Sequence, residues 1–418
     1  MKIPTLIIGL LLATQALAAP EKIEFWTFSM KPKFTPYFES VVARYQHDNP
    51  DVIVEWIDFP WDVIQTKLVT RIVAGTPPAL VNLNVPWADE YARDGLLTPV
   101  DALLAPTRAS YIPAALEDLR FNGQTYGFPF YSNVAVIAYN TAIFRAAGLT
   151  RAPRDLDEQL AFARQIFART GKAGFAPALS KIDGLFMQQG LPVLKNGRAA
   201  FNTPAHAALV AKLAATYKAG GLLKDSLFGE DNFPAVVDAY KGGRLGMLLA
   251  PPTALRRIQA DAADIYAITD VGPAPLGPTG IADGAWLIHF AVPRGVPAAQ
   301  LPAIGKFARF LTGDANQLAF ARQASVFPTT RQAAADPAFL ALAPNAGAAE
   351  RAMAAGAASM VHARTLYVAG IDDYDELRRA LVKAVEAGVT GKRDPASALA
   401  EAAAIWDKKL ASVAHAKP

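Results

Sequence analysis

The sequence of 418 residues contains no cysteine, and that absence excludes whole classes of stabilising and metal-binding site. Disulfide bonds and thiolate metal sites both require a thiol that this chain does not have. Folding must therefore depend on buried apolar surface, and a mature chain of about 400 residues can bury about three quarters of its surface. This length favours two lobes or domains rather than one.

Sequence signals for common catalytic and metal sites are missing as well. The five histidines are not paired at metal-ligand spacing, and no His-Glu-x-x-His run occurs. The sequence also has no Gly-x-Ser-x-Gly elbow and no glycine-rich phosphate loop. The net charge of +4 is small and forms no basic stripe, so nucleic acid is not expected as a partner. We therefore expect a protein that is not an enzyme and that holds no cofactor and no metal.

The first 18 residues have the pattern of a secretory signal peptide. Lys2 precedes a mostly apolar run at residues 3–12, and Ala16-Leu17-Ala18 supplies the small residues of a cleavage site. The apolar run is too short to be a transmembrane span. We expect cleavage near Ala18 and a free, soluble protein in the periplasm, because no cysteine is present for a lipid anchor.

Strand and helix patterns alternate in the first hundred residues. Apolar, β-branched runs predict strands at residues 23–28, 52–57 and 79–83, and helical spacing of apolar residues predicts helices between them. This order is typical of a parallel sheet covered by helices, whose ligands lie beyond the carboxyl ends of the strands. Those ends are the loops at residues 29–33, 59–61 and 84–87.

The rest of the chain continues the alternation. Further strands are predicted at residues 134–139, 244–249 and 286–292, and the Pro- and Gly-rich stretch 271–280 is interpreted as a crossover between lobes. The alanine-rich stretch 333–363 is interpreted as closely packed helices. Asp394 and Pro395 predict the start of the last helix.

Short motifs follow one another in a fixed order from the first strand to the last helix. They are Ile23-Glu24-Phe25-Trp26, Ala43-Arg44-Tyr45 with Asn49-Pro50, Gly75-Thr76-Pro77-Pro78, Gly95-Leu96-Leu97-Thr98-Pro99-Val100, Tyr126-Gly127-Phe128-Pro129, Gly243-Arg244, Asp283-Gly284-Ala285-Trp286, Phe327-Pro328-Thr329-Thr330, and Pro395 with Trp406 and Leu410. In these motifs the chain resembles the extracellular solute-binding proteins of bacterial ABC importers, the sugar-binding family that includes maltose-binding protein. Ala79 departs from the aspartate that is usual there, which leaves the subfamily and the ligand open.

The resemblance implies an α/β fold of two lobes, the type II periplasmic-binding-protein fold. Each lobe is expected to be a mainly parallel sheet flanked by helices. The N-terminal lobe would comprise residues 21–131 plus 282–326, and the C-terminal lobe residues 132–281 plus 327–418. Hinges are expected near residues 131–133, 281–283 and 326–328, and the lobes close around a ligand that contacts both of them.

Candidate ligand-binding residues lie in the loops at the cleft edge. A sugar needs aromatic rings for its apolar faces and planar polar side chains for its hydroxyls. Trp26, Trp56 and Trp406 lie inside regular elements and are expected in the core. The candidates are Ser29, Lys33, Trp61, Asp62, Asn84, Trp87, Tyr131, Asn133, Gly284 and Trp286.

The resemblance further implies the substrate-binding component of an ABC importer. Such a protein captures a mono- or oligosaccharide and delivers it to membrane permease subunits, and we expect it to act as a monomer. Two alternatives remain open from the sequence. The ligand could be anionic or a polyol, such as glycerol 3-phosphate, since Lys31 and Lys33 follow the first strand. The chain could also be an exported carbohydrate-active enzyme, since a pair of glycosidase carboxylates has no sequence signature.

Overall fold

The computed structural model describes residues 20–416, except residues 226, 230–231, 283–284 and 372–373. The predicted signal peptide at residues 1–18 and its cleavage site lie outside the described residues. Within the described part of the chain, none of the helices combines the length and the apolar character that a membrane crossing requires.

Fourteen strands occur in the described part of the chain. In chain order they are β1 (Glu21–Phe28), β2 (Val52–Phe59), β3 (Leu80–Asn84), β4 (Leu97–Thr98), β5 (Arg120–Phe121), β6 (Gln124–Thr125), β7 (Phe128–Asn133), β8 (Val136–Asn140), β9 (Leu194–Lys195), β10 (Arg198–Ala199), β11 (Met247–Ala250), β12 (Thr269–Pro273), β13 (Trp286–Pro293) and β14 (Phe327–Pro328).

Helices make up most of the remaining regular structure. They are α1 (Thr35–Asp48), α2 (Trp61–Val73), α3 (Val85–Arg93), α4 (Asp101–Leu104), α5 (Pro113–Glu117), α6 (Thr141–Ala147), α7 (Leu156–Thr170), α8 (Ile182–Gln188), α9 (Pro204–Lys218), α10 (Phe233–Lys241), α11 (Pro252–Asp261), α12 (Ala263–Ala267), α13 (Leu301–Leu311), α14 (Asp314–Ala324), α15 (Arg331–Ala334), α16 (Pro337–Leu340), α17 (Ala348–Ser359), α18 (Tyr374–Val389) and α19 (Pro395–Ala416). As predicted, the alanine-rich stretch is helical, and Asp394 caps α19 by accepting a hydrogen bond from the Ser397 N–H at 3.0 Å.

The larger sheet has the strand order β14-β7-β13-β3-β1-β2, with β4 added beside β13. Strand β1 runs parallel to both β2 and β3, as the alternating pattern predicts. Strand β13 enters this sheet from much later in the chain and lies antiparallel between β3 and β7. Its insertion brings the start of β13 and the end of β7 beside each other, because Trp286 pairs with Asn133.

The smaller sheet has the order β11-β8-β12, and both of its ladders are antiparallel. The prediction of a mainly parallel sheet in the C-terminal lobe is therefore wrong for these strands. Strands β11 and β12 both start at the carboxyl end of β8, where the Asn140 N–H donates to the Gly246 carbonyl and the Thr141 N–H to the Ile268 carbonyl. Parallel pairing is limited here to isolated bridges. The predicted crossover at 271–280 begins only after Pro273, since residues 269–273 form β12.

Separate hydrophobic cores lie beneath the two sheets. The larger sheet buries Trp26, and the C-terminal helices bury Trp406, which are 1% and 0% exposed, so both are core residues as predicted. Trp56 is partly buried and stacks on Phe38 with ring centroids 4.8 Å apart. A small cluster that includes Ala135, Ala282, Phe327 and Met360 lies where the two cores meet. We call the two halves the first lobe and the second lobe.

Residues 327–340 pack with the first lobe, although the predicted boundary assigns them to the second. Strand β14 pairs with β7, the Ile112 N–H donates to the Thr329 carbonyl at 2.8 Å, and Phe339 belongs to the core of the first lobe. Helix α17 is the next element to pack against the core of the second lobe. These contacts favour a third crossing between residues 341 and 347. The two other crossings, and the hinge motion itself, stay predictions.

Candidate functional site

A cleft with a volume of about 1420 Å³ separates the two lobes. The first lobe contributes the length of α3, the amino end of β13, the carboxyl end of β7 and Gln65 of α2. The second lobe contributes the amino ends of α7, α10 and α18, helix α8, the loop at 175–178 and the turn after β11. Elements distant in sequence thus supply the two opposite walls.

Two tryptophans line the first-lobe wall, beside polar and charged side chains of α2 and α3. Trp87 and Trp286 line the cleft, and Trp61 lies against Trp87 with ring centroids 4.4 Å apart. Asn84 ends β3 and caps α3, because its Oδ1 accepts a hydrogen bond from the Trp87 N–H at 2.9 Å. That cap fixes the first turn of α3, and with it the position of the Trp87 ring. Two aromatic faces therefore border the cavity.

The segment at residues 361–371, which we call the interlobe strap, closes one side of the cleft. Its Val368 belongs to the core of the second lobe, whereas its Tyr367 packs against the core of the first. Asp118 of the first lobe anchors the strap, since its carboxylate accepts hydrogen bonds from Arg364 Nε at 2.7 Å and from the Thr365 N–H at 3.0 Å. Burial raises the pKa of Asp118. Burial, with the negative charge of nearby carboxylates, also raises the pKa of the Tyr367 phenol, which therefore stays a neutral donor.

The second-lobe wall has buried polar side chains set among apolar residues such as Phe175 and Phe233. Its buried lining residues include Gln159, Asp183, Gln188 and Asn232. Asp183 accepts a hydrogen bond from the Tyr374 hydroxyl at 2.5 Å. Burial raises the pKa of Tyr374, and the adjacent Asp183 charge adds to the shift. This wall presents amides and a carboxylate, the groups that recognise hydroxyls.

Two buried amide atoms at the cleft have no hydrogen-bond partner among the described residues. They are Oδ1 of Asn133, on the first lobe, and Nε2 of Gln159, on the second. The Gln188 amide, by comparison, donates to the Pro275 carbonyl at 3.0 Å, and the Asn232 amide to the Pro177 carbonyl at 3.4 Å. Unpaired buried polar atoms are costly, so their presence at a cavity is an indication of a binding site.

Of the nine predicted site residues that the structure describes, three line the cleft. These are Trp87, Asn133 and Trp286, and Trp61 is in contact with the first of them. Asn84 is buried and serves Trp87 through the helix cap. Whether these residues contact a ligand stays a prediction.

The remaining predicted residues do not meet at the cleft. Ser29 and Lys33 are on the loop after β1, which Asp58 holds by accepting the N–H groups of Met30 and Lys31. The Lys33 ammonium lies 5.0 Å from the Phe34 ring centroid instead. Two other residues lie away from the cleft. Asp62 is exposed in the first turn of α2, and Tyr131 packs against Phe130 and Phe320. Gly284 lies outside the described residues.

Sequence reasoning missed the second-lobe wall and the strap. Asp183 and the strap that holds Tyr367 depend on distant partners, since Asp183 bonds Tyr374 and Arg364 bonds Asp118. Gln159 is one residue on a helix, and its Nε2 has no partner among the described residues. One weak signal was present for Gln159, because a polar residue occurs between Leu156 and Leu160 on the buried face of an amphipathic helix. Within the described residues, no three His, Asp or Glu side chains form a group suited to a metal ion.

Comparison with known proteins gives relatives along most of the chain. A family profile described as bacterial extracellular solute-binding protein matches residues 40–348. A candidate binding protein of Brucella abortus (strain 2308) is 28% identical over 283 residues, which cover 65% of this chain and 67% of that protein.

Solved structures share the fold. A protein from Synechococcus sp. MITs9220, named as a candidate oligosaccharide periplasmic-binding protein, is 30% identical; the match covers 93% of this chain and 99% of that one, with a TM-score of 0.81. A cyclo/maltodextrin-binding protein in complex with maltotetraose is 17% identical, with coverages of 94% and 98% and a TM-score of 0.75, a likeness of fold alone. These neighbours have two-lobe periplasmic-binding-protein folds.

Proposed function

This chain belongs to the bacterial extracellular solute-binding protein family, and on that premise we propose that it captures a neutral sugar in the interlobe cleft. It acts as the substrate-binding component of an ABC importer and delivers the sugar to membrane permease subunits. The name of the Synechococcus relative supports an oligosaccharide as the ligand class.

The observation that carries the proposal is that aromatic rings on one lobe and buried hydrogen-bonding side chains on the other line the same cleft. Trp87 and Trp286 offer ring faces on the first lobe, and Gln159 and Asp183 offer hydrogen-bonding groups on the second. A sugar ring has an apolar C–H face and an edge of hydroxyls, so one ring can satisfy both walls. A ligand held by both lobes also favours their closure.

The charge distribution favours a neutral ligand over the anionic alternative. Among the described residues that line the cleft, every buried polar side chain is an amide or a carboxylate, and none is a lysine or arginine. Arg93 lies 3.5 Å from Asp89, and Arg378 lies 2.9 Å from Asp375. Arg364 pairs with Asp118, and Lys181 and Arg379 are exposed, so an anion beside the buried carboxylates of the cleft would have no buried cation among the described residues as its partner.

The cleft has room for a ligand longer than one sugar ring, since its volume before closure is about 1420 Å³. The second alternative, an exported carbohydrate-active enzyme, has less support, since the family and its structural neighbours are binding proteins. We further propose that the protein is a periplasmic monomer whose mature chain begins near Ala19.

A thermal-shift screen of the mature protein tests the proposal. Neutral mono- and oligosaccharides, polyols and sugar phosphates are compared at equal concentration. A ligand that binds only the folded state at a hundred times its Kd stabilises that state by about 2.7 kcal/mol. We expect neutral sugars to raise the melting temperature.

Two controls make the screen decisive. Trp87→Ala should lose most of the ligand-induced shift, whereas exposed Ile405→Ala, remote from the cleft, should keep it. The proposal would be contradicted by shifts from sugar phosphates alone, or by turnover of any sugar in the panel.

A further inference from the structure

The second lobe places one unpaired amide at the cleft, and its surroundings distinguish it from other glutamines. Gln159 is in the first turns of α7, one turn after Leu156, which also lines the cleft. The side chain is 3% exposed, yet its Nε2 has no partner in the described part of the chain. On the same helix, Gln165 Nε2 donates to the Ala147 carbonyl at 2.8 Å. Of the two glutamines on α7, Gln159 is the one whose buried donor makes no hydrogen bond with a described residue.

The first lobe places the complementary atom at the same cavity. Asn133 is the last residue of β7 and pairs with Trp286 across the sheet. Its Oδ1 is buried and accepts no hydrogen bond from any described residue. Among the described residues, the cleft thus has two buried amide atoms without a partner, one a donor and one an acceptor, and they belong to opposite lobes.

We propose that Gln159 and Asn133 are specificity-determining residues that recognise neutral hydroxyl groups of the ligand. The ligand is a sugar or polyol whose hydroxyls accept from Gln159 Nε2 and donate to Asn133 Oδ1. A hydroxyl can do both, whereas a carboxylate or an ionised phosphate can only accept and would leave Asn133 Oδ1 facing negative charge. This inference rests on the proposed function and deepens it.

The two contacts also link recognition to closure. Each atom belongs to a different lobe, so a ligand that pairs both of them makes more hydrogen bonds in the closed arrangement than in any arrangement with the lobes apart. Such a difference in contacts is what shifts a two-state equilibrium. Asn133 Oδ1 and Gln159 Nε2 are unpaired within the described residues, and a hydroxylated ligand that bonds both of them relieves the cost of burying them.

Three variants separate this role from a structural one. Gln159→Met and Asn133→Leu keep approximate volume and remove the amides, and Gln165→Met removes a paired amide from the same helix as a matched control. The probes are maltose, maltotetraose and mannitol, against glucuronate, glucose 6-phosphate and glycerol 3-phosphate. Calorimetric titration gives Kd, and thermal unfolding without a probe gives the melting temperature.

The two site variants and the control variant should differ in both ligand affinity and melting temperature. Gln159→Met and Asn133→Leu each raise Kd for the best neutral probe about three- to tenfold, the loss of one neutral hydrogen bond. Their melting temperatures stay unchanged or rise, because an apolar group replaces an unpaired amide. Gln165→Met keeps the Kd and lowers the melting temperature.

Any other result would count against either this inference or the proposed function. Variants that bind neutral probes like the wild type, or that melt lower as the control does, would overturn the inference. A wild-type protein that prefers the anionic probes would overturn it too, while leaving a solute-binding function intact. Binding of no probe would contradict the proposed function, and the melting temperatures alone would then decide whether the two amides are unpaired.

Discussion

Replacing Trp87 by alanine should weaken ligand binding strongly, at a stability cost well below that of truncating a core tryptophan. Trp87 is half-buried, and its ring contacts within the protein are to Trp61, at 4.4 Å between centroids, and to Phe28, at 5.8 Å. Two such contacts are worth about 1–3 kcal/mol together. A sugar face stacked on the indole adds about 1–3 kcal/mol to binding, so its loss raises Kd about five- to a hundred-and-fiftyfold.

Trp406→Ala is the matched control for this prediction. The Trp406 ring is fully buried, and its Nε1 donates to the Leu377 carbonyl at 2.7 Å. Truncation should cost about 3–5 kcal/mol for the cavity and about 1 kcal/mol for the hydrogen bond. Urea unfolding gives the stability of each variant, and sugar titration by tryptophan fluorescence gives the affinity. The reasoning is refuted if Trp87→Ala binds sugar like the wild type and unfolds as easily as Trp406→Ala.

Three further predictions concern the core, the strap and the hinge. Burial lowers the pKa of His289 to about 3, from 6.5 in the unfolded chain, so the free energy of unfolding should fall by up to about 1.4 kcal/mol per pH unit as the pH drops from 6.5 towards 3. His289→Leu should flatten that slope in urea unfolding at several pH values, and an unchanged slope would show that other groups cause it. Asp118→Asn weakens the anchor of the strap at Arg364 and should raise the sugar Kd severalfold at a stability cost of about 1–3 kcal/mol; an unaltered Kd would separate the strap from binding. Small-angle scattering should give a smaller radius of gyration when sugar is bound, and an equal radius at saturation would argue against closure.

The strands and helices with a regular spacing of apolar residues were predictable from the sequence. Strands β1 to β3 and the helices between them have clear apolar periods, and the position of Trp87 just after β3 indicated the cleft edge correctly. Trp286 was identified in the same way from the start of β13. In these cases the side chain's place follows from its own strand, so no distant contact is needed.

The remaining parts depend on contacts between distant segments. The antiparallel sheet in the second lobe arises because β11 and β12 both start at the carboxyl end of β8, which no local pattern reveals. The loop with Ser29 and Lys33 also follows a strand, yet Asp58 holds its backbone and it does not line the cleft. Gln159 is distinguished only by a hydrogen bond that it does not make with the described residues.

A crystal structure with the tightest-binding neutral sugar is the most direct test of the central claim that the cleft recognises a sugar from both lobes. The account predicts a sugar ring stacked on Trp87 or Trp286, with hydroxyls within about 3.2 Å of Asn133 Oδ1 and Gln159 Nε2. A sugar bound outside the cleft, or held by residues of one lobe alone, would contradict it.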